Sequence, residues 1–227
     1  MWKLLSSDPR IVLGVERYGN LFFRQPLTSA LFQPERFAEI RPGDTFYENL
    51  TSFNTYYEGI EKKFDEAVYL GDKIPLLYSQ LDTLFSNIGQ AKVVFMLRNI
   101  FDVAASYEAR ANDAIDESWS KDKRTAEAIL EWRDSLRALE RFLDDKRVLP
   151  VLYEDFFSGK RGFGKLYRFL ELDCTVDNRR AYRWIVARDK QLEIERTRRM
   201  PKHDVMRICM EAPFGLYRKV VNRITPA

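Results

Sequence analysis

A chain of 227 residues with 45% apolar content has enough apolar side chain for an ordinary core. Charged residues make up 31% but the net charge is only +3, which argues against a dedicated nucleic-acid binder, because such proteins concentrate a basic excess. The two cysteines, Cys174 and Cys209, suit neither a disulfide framework nor a zinc pattern and read as single buried thiols, and the lone His203 excludes a multi-histidine metal centre.

Trp2-Lys3-Leu4-Leu5 looks like the end of a helix, and Ile11-Val12-Leu13-Gly14-Val15 reads as a short strand. Residues 20–65 are aromatic-rich and irregular, with Pro26, Pro34 and Pro42 breaking any long element. Asn49-Leu50-Thr51 has the pattern of a glycosylation sequon, a chance match in a chain without a secretory signal. Residues 68–73 look like a strand running into a turn, after which Pro75 suits the first turn of a helix over about 75–87. Lys92-Val93-Val94-Phe95-Met96-Leu97 is an apolar run ending at Arg98, as expected of a strand buried on both faces in a parallel sheet. The following helix opens with Asn99 as N-cap and Asp102 in its first turn. A long amphipathic helix comes next, its stripe being Ile129, Trp132, Leu136, Leu139 and Leu143. Residues 148–153 form another strand, with Pro150 arguing for an edge or a bulge, and helices follow at roughly 163–172, 177–188 and 202–219. Strands alternating with helices predict one domain over 1–227: an α/β three-layer sandwich with a central parallel sheet flanked by helices.

The corner after the 92–97 strand sets the Arg98 guanidinium, helix N–H groups and, eight positions on, the Ser106 hydroxyl at one strand-to-helix turn, which is physically a phosphate site. Arg110 lies four residues beyond Ser106 and so on the same helix face. Gly159 to Lys165 matches most of a phosphate-binding loop of the Walker A kind, but Leu166 stands where the magnesium-binding hydroxyl belongs. Arg196, Arg198, Arg199 and Lys202 read as a solvated charge run or, alternatively, as a basic cover over a phosphate or an acidic acceptor. No apolar run approaches the roughly 18 residues that span a bilayer, and there is no signal-peptide layout, so the expected location is cytoplasmic.

Four motifs in order resemble the sulfotransferases that use 3′-phosphoadenosine 5′-phosphosulfate (PAPS). Arg98 and Ser106 look like the 3′-phosphate motif, and Tyr153-Glu154-Asp155-Phe156 with Phe169-Leu170-Glu171-Leu172 looks like the family's "Tyr-Glu-Asp-Leu … Phe-Leu-Gly" segment. Gly71-Asp72-Lys73-Ile74-Pro75 resembles its Lys-x-Pro turn, and Asp8-Pro9-Arg10 through Gly14-Val15-Glu16 resembles a stretch of the tyrosylprotein sulfotransferase-like branch. The resemblance implies a fold like that of the nucleotide kinases and transfer of a sulfuryl group from PAPS to a hydroxyl or amine without metal, leaving adenosine 3′,5′-bisphosphate (PAP). It makes Glu16 the base, Lys73 the electrostatic aid, and Arg98, Ser106, Arg110 and Tyr153 the nucleotide ligands. The acceptor is a small molecule, carbohydrate or peptide, and Phe22, Phe23, Phe46, Phe53, Tyr56 and Tyr57 either line its pocket or form core under a long loop. His203, far along the chain, gives no histidine base and is expected at the surface.

The family's first strand and its Gly-x-x-Arg-Ser-Gly-Thr-Thr loop, which binds the 5′-phosphosulfate, have no counterpart in the sequence. The expectation is therefore an N-terminally incomplete domain, with Met1 either internal to a longer protein or the start of a natural truncation. The rival expectations are a non-catalytic protein of the same fold that binds a nucleotide or a partner, with an uncovered sheet edge favouring homo-oligomers, and a nucleotide kinase relying on Gly159 to Lys165.

Overall fold

This computed structural model describes all residues except 117–118, 160–161, 197–199 and 226–227, and the side chains of Ser52, Tyr56 and residues 191–196 also lie outside the description. In chain order the elements are α1 (Trp2–Leu5), β1 (Ile11–Val15), α2 (Gly19–Phe22), α3 (Pro34–Ala38), α4 (Leu50–Tyr57), β2 (Tyr69–Lys73), α5 (Leu81–Asn87), β3 (Val93–Leu97), α6 (Ile100–Asn112), α7 (Thr125–Arg141), β4 (Val148–Leu152), α8 (Tyr153–Phe157), α9 (Phe163–Phe169), α10 (Val176–Arg196), α11 (Lys202–Glu211) and α12 (Phe214–Ile224). The fold is mixed α/β with short parallel strand pairs flanked by helices, the class the alternation of elements predicts. The parallel layer is two separate pairs among the described residues, β1 with β2 and β3 with β4. The chain divides into two compact units, Met1–Ala91 with Thr175–Ile185, and Lys92–Cys174 with Val186–Ala227.

In the first unit β1 and β2 run in register from Ile11 opposite Tyr69 to Val15 opposite Lys73. Ile11 and Val12 are buried, and the Trp2 indole N–H donates to the Leu13 carbonyl at 3.0 Å, fixing α1 to the strand. Residues 20–65 differ from the irregular loop expected: α2, α3, α4 and two short 3₁₀ turns occupy much of them. Pro34 opens α3 at its first position, where the missing N–H costs nothing, so one of the expected breakers is a starter. Their rings are core: Phe22, Phe37 and Tyr57 are buried, Phe53 packs on Tyr57 at 4.7 Å, and Phe46 on Tyr57 at 5.7 Å, although Phe23 is exposed. Among them the fully buried Arg17 pairs with Asp44 at 2.7 Å and donates to the Glu39 carbonyl at 2.6 Å. Arg36 binds the other Asp44 oxygen at 2.6 Å, so two guanidiniums share one buried carboxylate.

The helix expected over 75–87 starts late. Pro75 lies in a turn, residues Leu77–Gln80 are 3₁₀, and α5 begins only at Leu81, because Gln80 has a non-helical backbone and its amide reaches back to the Phe22 carbonyl at 3.0 Å. The first turns of α10 complete this unit: Asn178 is buried and donates to the buried Asp8 carboxylate at 3.1 Å.

In the second unit β3 and β4 pair from Val93 opposite Val148 to Leu97 opposite Leu152, with Pro150 opposite Phe95. Pro150 is tolerated because β4 has one strand neighbour among the described residues, so the proline can turn its missing donor to the free edge. The predicted stripe of α7 holds for Ile129, Trp132, Leu136 and Leu139, all buried, whereas Leu143 lies past the end of the helix. Tyr153 does not end the strand but opens α8. The helix expected over 202–219 is two helices, since Pro213 forces Ala212 into an extended conformation (ψ 136°) and stops α11. On α12, Lys219 pairs with Glu140 at 2.6 Å and Arg223 with Asp144 at 2.6 Å, tying it to the α7 side. Cys174 is half-buried and Cys209 lies exposed on α11, which corrects the expectation of buried thiols: position 209 falls on the outer face while Ile208 faces inward. No helix among the described residues is long and apolar enough to cross a membrane.

Candidate active site

In the first unit the parallel register brings the ends of β1 and β2 side by side and places Glu16, the residue after β1, next to Lys73, the last of β2. The Glu16 amide donates to the Lys73 carbonyl at 3.0 Å, and the Lys73 ammonium meets Glu16 Oε1 at 2.6 Å. Both side chains stay open to solvent, 45% and 42% exposed, so a ligand can reach the pair. Glu16 has a φ of 53°, a left-handed conformation that costs a non-glycine residue of order 1 kcal/mol and persists only where the surroundings over-determine it.

Those surroundings come from residues to which the motifs assign no catalytic or nucleotide-binding role. Asp72 accepts from the Arg17 amide at 3.0 Å on one oxygen and from the Tyr18 amide at 2.8 Å on the other. Burial pushes its carboxyl up to about 6, with the N–H groups of Tyr18, Arg17 and Lys73 working against that rise. Gly14 is required beside it, since a Cβ there would stand 2.7 Å from Asp72 Oδ1 and 2.9 Å from Arg17 Cβ. The Tyr57 hydroxyl accepts from the Val15 amide at 3.0 Å and holds the strand end from the other side. The only signal for Asp72 in the sequence was its place beside Lys73.

In the second unit Asn99 caps α6 as expected, its side-chain oxygen accepting from the Asp102 amide at 2.9 Å. The Arg98 guanidinium lies over the Tyr153 ring at 4.5 Å and gives Nε and Nη2 to one Asp102 oxygen at 3.2 and 3.1 Å, a pairing in which Nη1 takes no part. The Trp132 indole donates to the Arg98 carbonyl at 2.9 Å, which pins the strand end to α7. Glu154 accepts from both the backbone and side-chain nitrogens of Asn99 at 2.8 Å. The Tyr153 hydroxyl binds the Asp189 carboxylate and its ring packs on Phe157 at 4.4 Å. Sequence spacing gave no pointer to Asp189, which is 36 residues away.

Asp102, Ser106 and Arg110 follow at successive helical turns on one side of α6, so the hydroxyl lies along the stripe that starts at Arg98. Ser106 is exposed. Arg110 is engaged elsewhere, with Asp116 at 2.7 Å and over the Trp119 ring at 4.1 Å. The structure thus brings Glu16 to Lys73 within one unit and Arg98 to Tyr153 within the other. In the segment resembling a Walker A loop, Lys160 and Arg161 lie outside the described residues, while Leu166 is fully buried core. Arg198, Arg199 and the side chains of Tyr56 and Arg196 also lie outside them, and His203 is exposed as expected.

Among the described residues no group of three or more His, Cys, Asp or Glu side chains converges on a metal-sized site. Searches among curated proteins and among solved structures return no match to the chain. A family model described as the sulfotransferase family matches residues 5–177, a span containing Glu16, Lys73, Arg98, Ser106, Arg110 and Tyr153. With most of its length inside that match, the chain belongs to the sulfotransferase family.

Proposed function

We propose that this chain carries the machinery for sulfuryl transfer from PAPS to a hydroxyl or amine acceptor. The observation that carries the proposal is the Glu16–Lys73 pair, a carboxylate and an ammonium 2.6 Å apart and open to ligand, drawn together from 57 positions apart at the ends of two parallel strands. Glu16 takes the proton as the acceptor oxygen or nitrogen attacks sulfur. Becoming neutral, it releases Lys73, whose charge is then free for the sulfuryl oxygens as the bond to the leaving phosphate breaks.

The donor supplies an activated sulfuryl group on a nucleotide, and the second unit suits that nucleotide in kind. Arg98 offers Nη1 to the 3′-phosphate and Ser106 its hydroxyl, while the Tyr153 hydroxyl takes part by exchanging Asp189 for the nucleotide. Arg110 takes part by exchanging Asp116 for the nucleotide. The amides for the 5′-phosphosulfate are assigned to no residue of these 227, because the loop that carries them in the resembling proteins does not occur in the sequence.

A second reading, a non-catalytic nucleotide- or partner-binding protein, draws on a specific observation: carboxylates already take part of this corner, Asp102 on Arg98 and Glu154 on Asn99. Thermal-shift titration with PAP, with AMP as control, separates the two when followed by a transfer assay. Ligand at about 100 times its dissociation constant stabilises by roughly 2.7 kcal/mol. A shift with PAP alone, followed by labelled sulfate appearing on an acceptor, supports transfer. A shift without transfer supports the binder, and a cooperative melt blind to PAP removes the nucleotide role of Arg98 and Ser106.

A further inference from the structure

We propose that Asp72 is the positioning residue of Glu16: its carboxylate receives the two N–H groups that follow Glu16 in the chain and so fixes that glutamate, in its left-handed conformation, against Lys73. The proposal rests on the reading of Glu16 as the base and assigns its orientation to a residue that touches neither acceptor nor donor.

Three observations converge. Asp72 Oδ1 takes the Arg17 amide at 3.0 Å and Oδ2 the Tyr18 amide at 2.8 Å, one donor on each oxygen. A carboxylate can serve both, whereas a side-chain amide has one acceptor oxygen and meets the second N–H with a donor. Glu16 itself sits at φ 53°, which needs such an outside constraint. Space for the carboxylate exists because residue 14 is glycine, with any Cβ only 2.7 Å from Asp72 Oδ1. Asp72 and Lys73 are neighbours at the end of β2, so one residue holds the turn while the next meets the carboxylate that the turn presents.

The charged and titratable groups facing Asp72 are Glu16, whose charge opposes its ionisation, Lys73 and Arg17 through their amides, and the tyrosines Tyr18 and Tyr57. The Arg17 guanidinium is directed to Asp44 at 2.7 Å. Because burial raises the Asp72 carboxyl to about 6, protonation below that pH takes away one acceptor and loosens the turn. Orientation of Glu16 is in this way tied to a second carboxyl group.

The test combines a double-mutant cycle in turnover with amide spectra. Asp72→Asn is expected to lower kcat about 10- to 100-fold with KM for PAPS unchanged, and to cost nothing further once Glu16→Gln is present, because both act through one group. In ¹⁵N–¹H spectra of the wild-type chain the Arg17 and Tyr18 amide protons are expected to titrate together with a midpoint near 6. Equal losses from Asp72→Asn in both backgrounds overturn the positioning role, as do Arg17 and Tyr18 amides that stay fixed while the Asp72 carboxyl titrates. The wild-type spectra carry the test even where Asp72→Asn does not fold. Full turnover in Glu16→Gln sinks the base assignment instead, and leaves the hold on the turn to be judged by the amides.

Discussion

At the scale of single residues, the motifs single out Glu16 and Lys73 as candidates but say nothing of the partners that hold them, because those partners are set by distant backbone. Asp72 is 54 residues from the Tyr18 amide it accepts, and no spacing rule spans that distance. Asp102 was legible as a helix-start acid, and its second role on Arg98 needed the geometry of the corner. Glu16→Gln is expected to lower kcat by about 10²–10⁴ while PAP affinity, measured by calorimetry, stays unchanged. Asp44→Asn leaves Arg17 buried without its counter-charge and is expected to cost about 3–5 kcal/mol in urea unfolding. The pH dependence of stability has opposing parts. The folded Asp72 keeps its proton up to about 6 and the unfolded chain releases it near 3.8, so over that interval the folded state binds more protons and stability falls as pH rises. That loss amounts to about 3 kcal/mol. Burial also opposes the charge of Asp44, but bonds from Arg36, Arg41 and Arg17 outweigh it and hold this carboxyl below its ordinary range, giving stability that is lost as pH falls through that range. Urea melts of wild type and Asp72→Asn at several pH values isolate the first part, since the stability of wild type relative to the variant should rise by about 3 kcal/mol from neutral pH toward pH 4.

At the scale of elements, the strands were the legible part. β1 and β3 lie at or within a residue of their expected bounds because a short β-branched run between turn residues has few alternatives. Asn99 and Asp102 marked the start of α6 for the same local reason. Helix ends set by tertiary contacts were hidden: α5 is delayed by a bond from Gln80 to Phe22, and α4 was masked by its aromatic surroundings although Asn49, a favoured cap residue, stands just before it. The break before Pro213 is legible in the sequence, for proline inside a helical pattern is itself a stop signal. Leu136→Ala, in the buried stripe of α7, is expected to cost about 2–5 kcal/mol in urea unfolding. Asn99→Ala removes the cap of α6 and is expected to cost about 1 kcal/mol, with weaker PAP binding because the same turn orients Arg98.

At the scale of the whole molecule, the class of fold and the family were readable from the order of motifs, and the grouping of the chain into units was not, because it depends on which distant stretches pack together, as residues 175–185 do with 1–91. The unit that holds Glu16 and Lys73 is made from two stretches of chain separated by residues 92–174. Its clasp is the bond from Asn178 to Asp8, between two side chains removed from water and 170 positions apart. Burial opposes the Asp8 charge, yet bonds from Arg10 and Asn178 prevail and hold its carboxyl below the ordinary range, so the clasp is an ionised one at neutral pH. On a ribosome this has a consequence of timing. The amino-terminal end emerges first and must wait, its acid already charged, until the segment around Asn178 leaves the exit tunnel. A fragment trimmed at the end of the family match, residue 177, would stop one residue short of that amide and keep Glu16 and Lys73 without their lock.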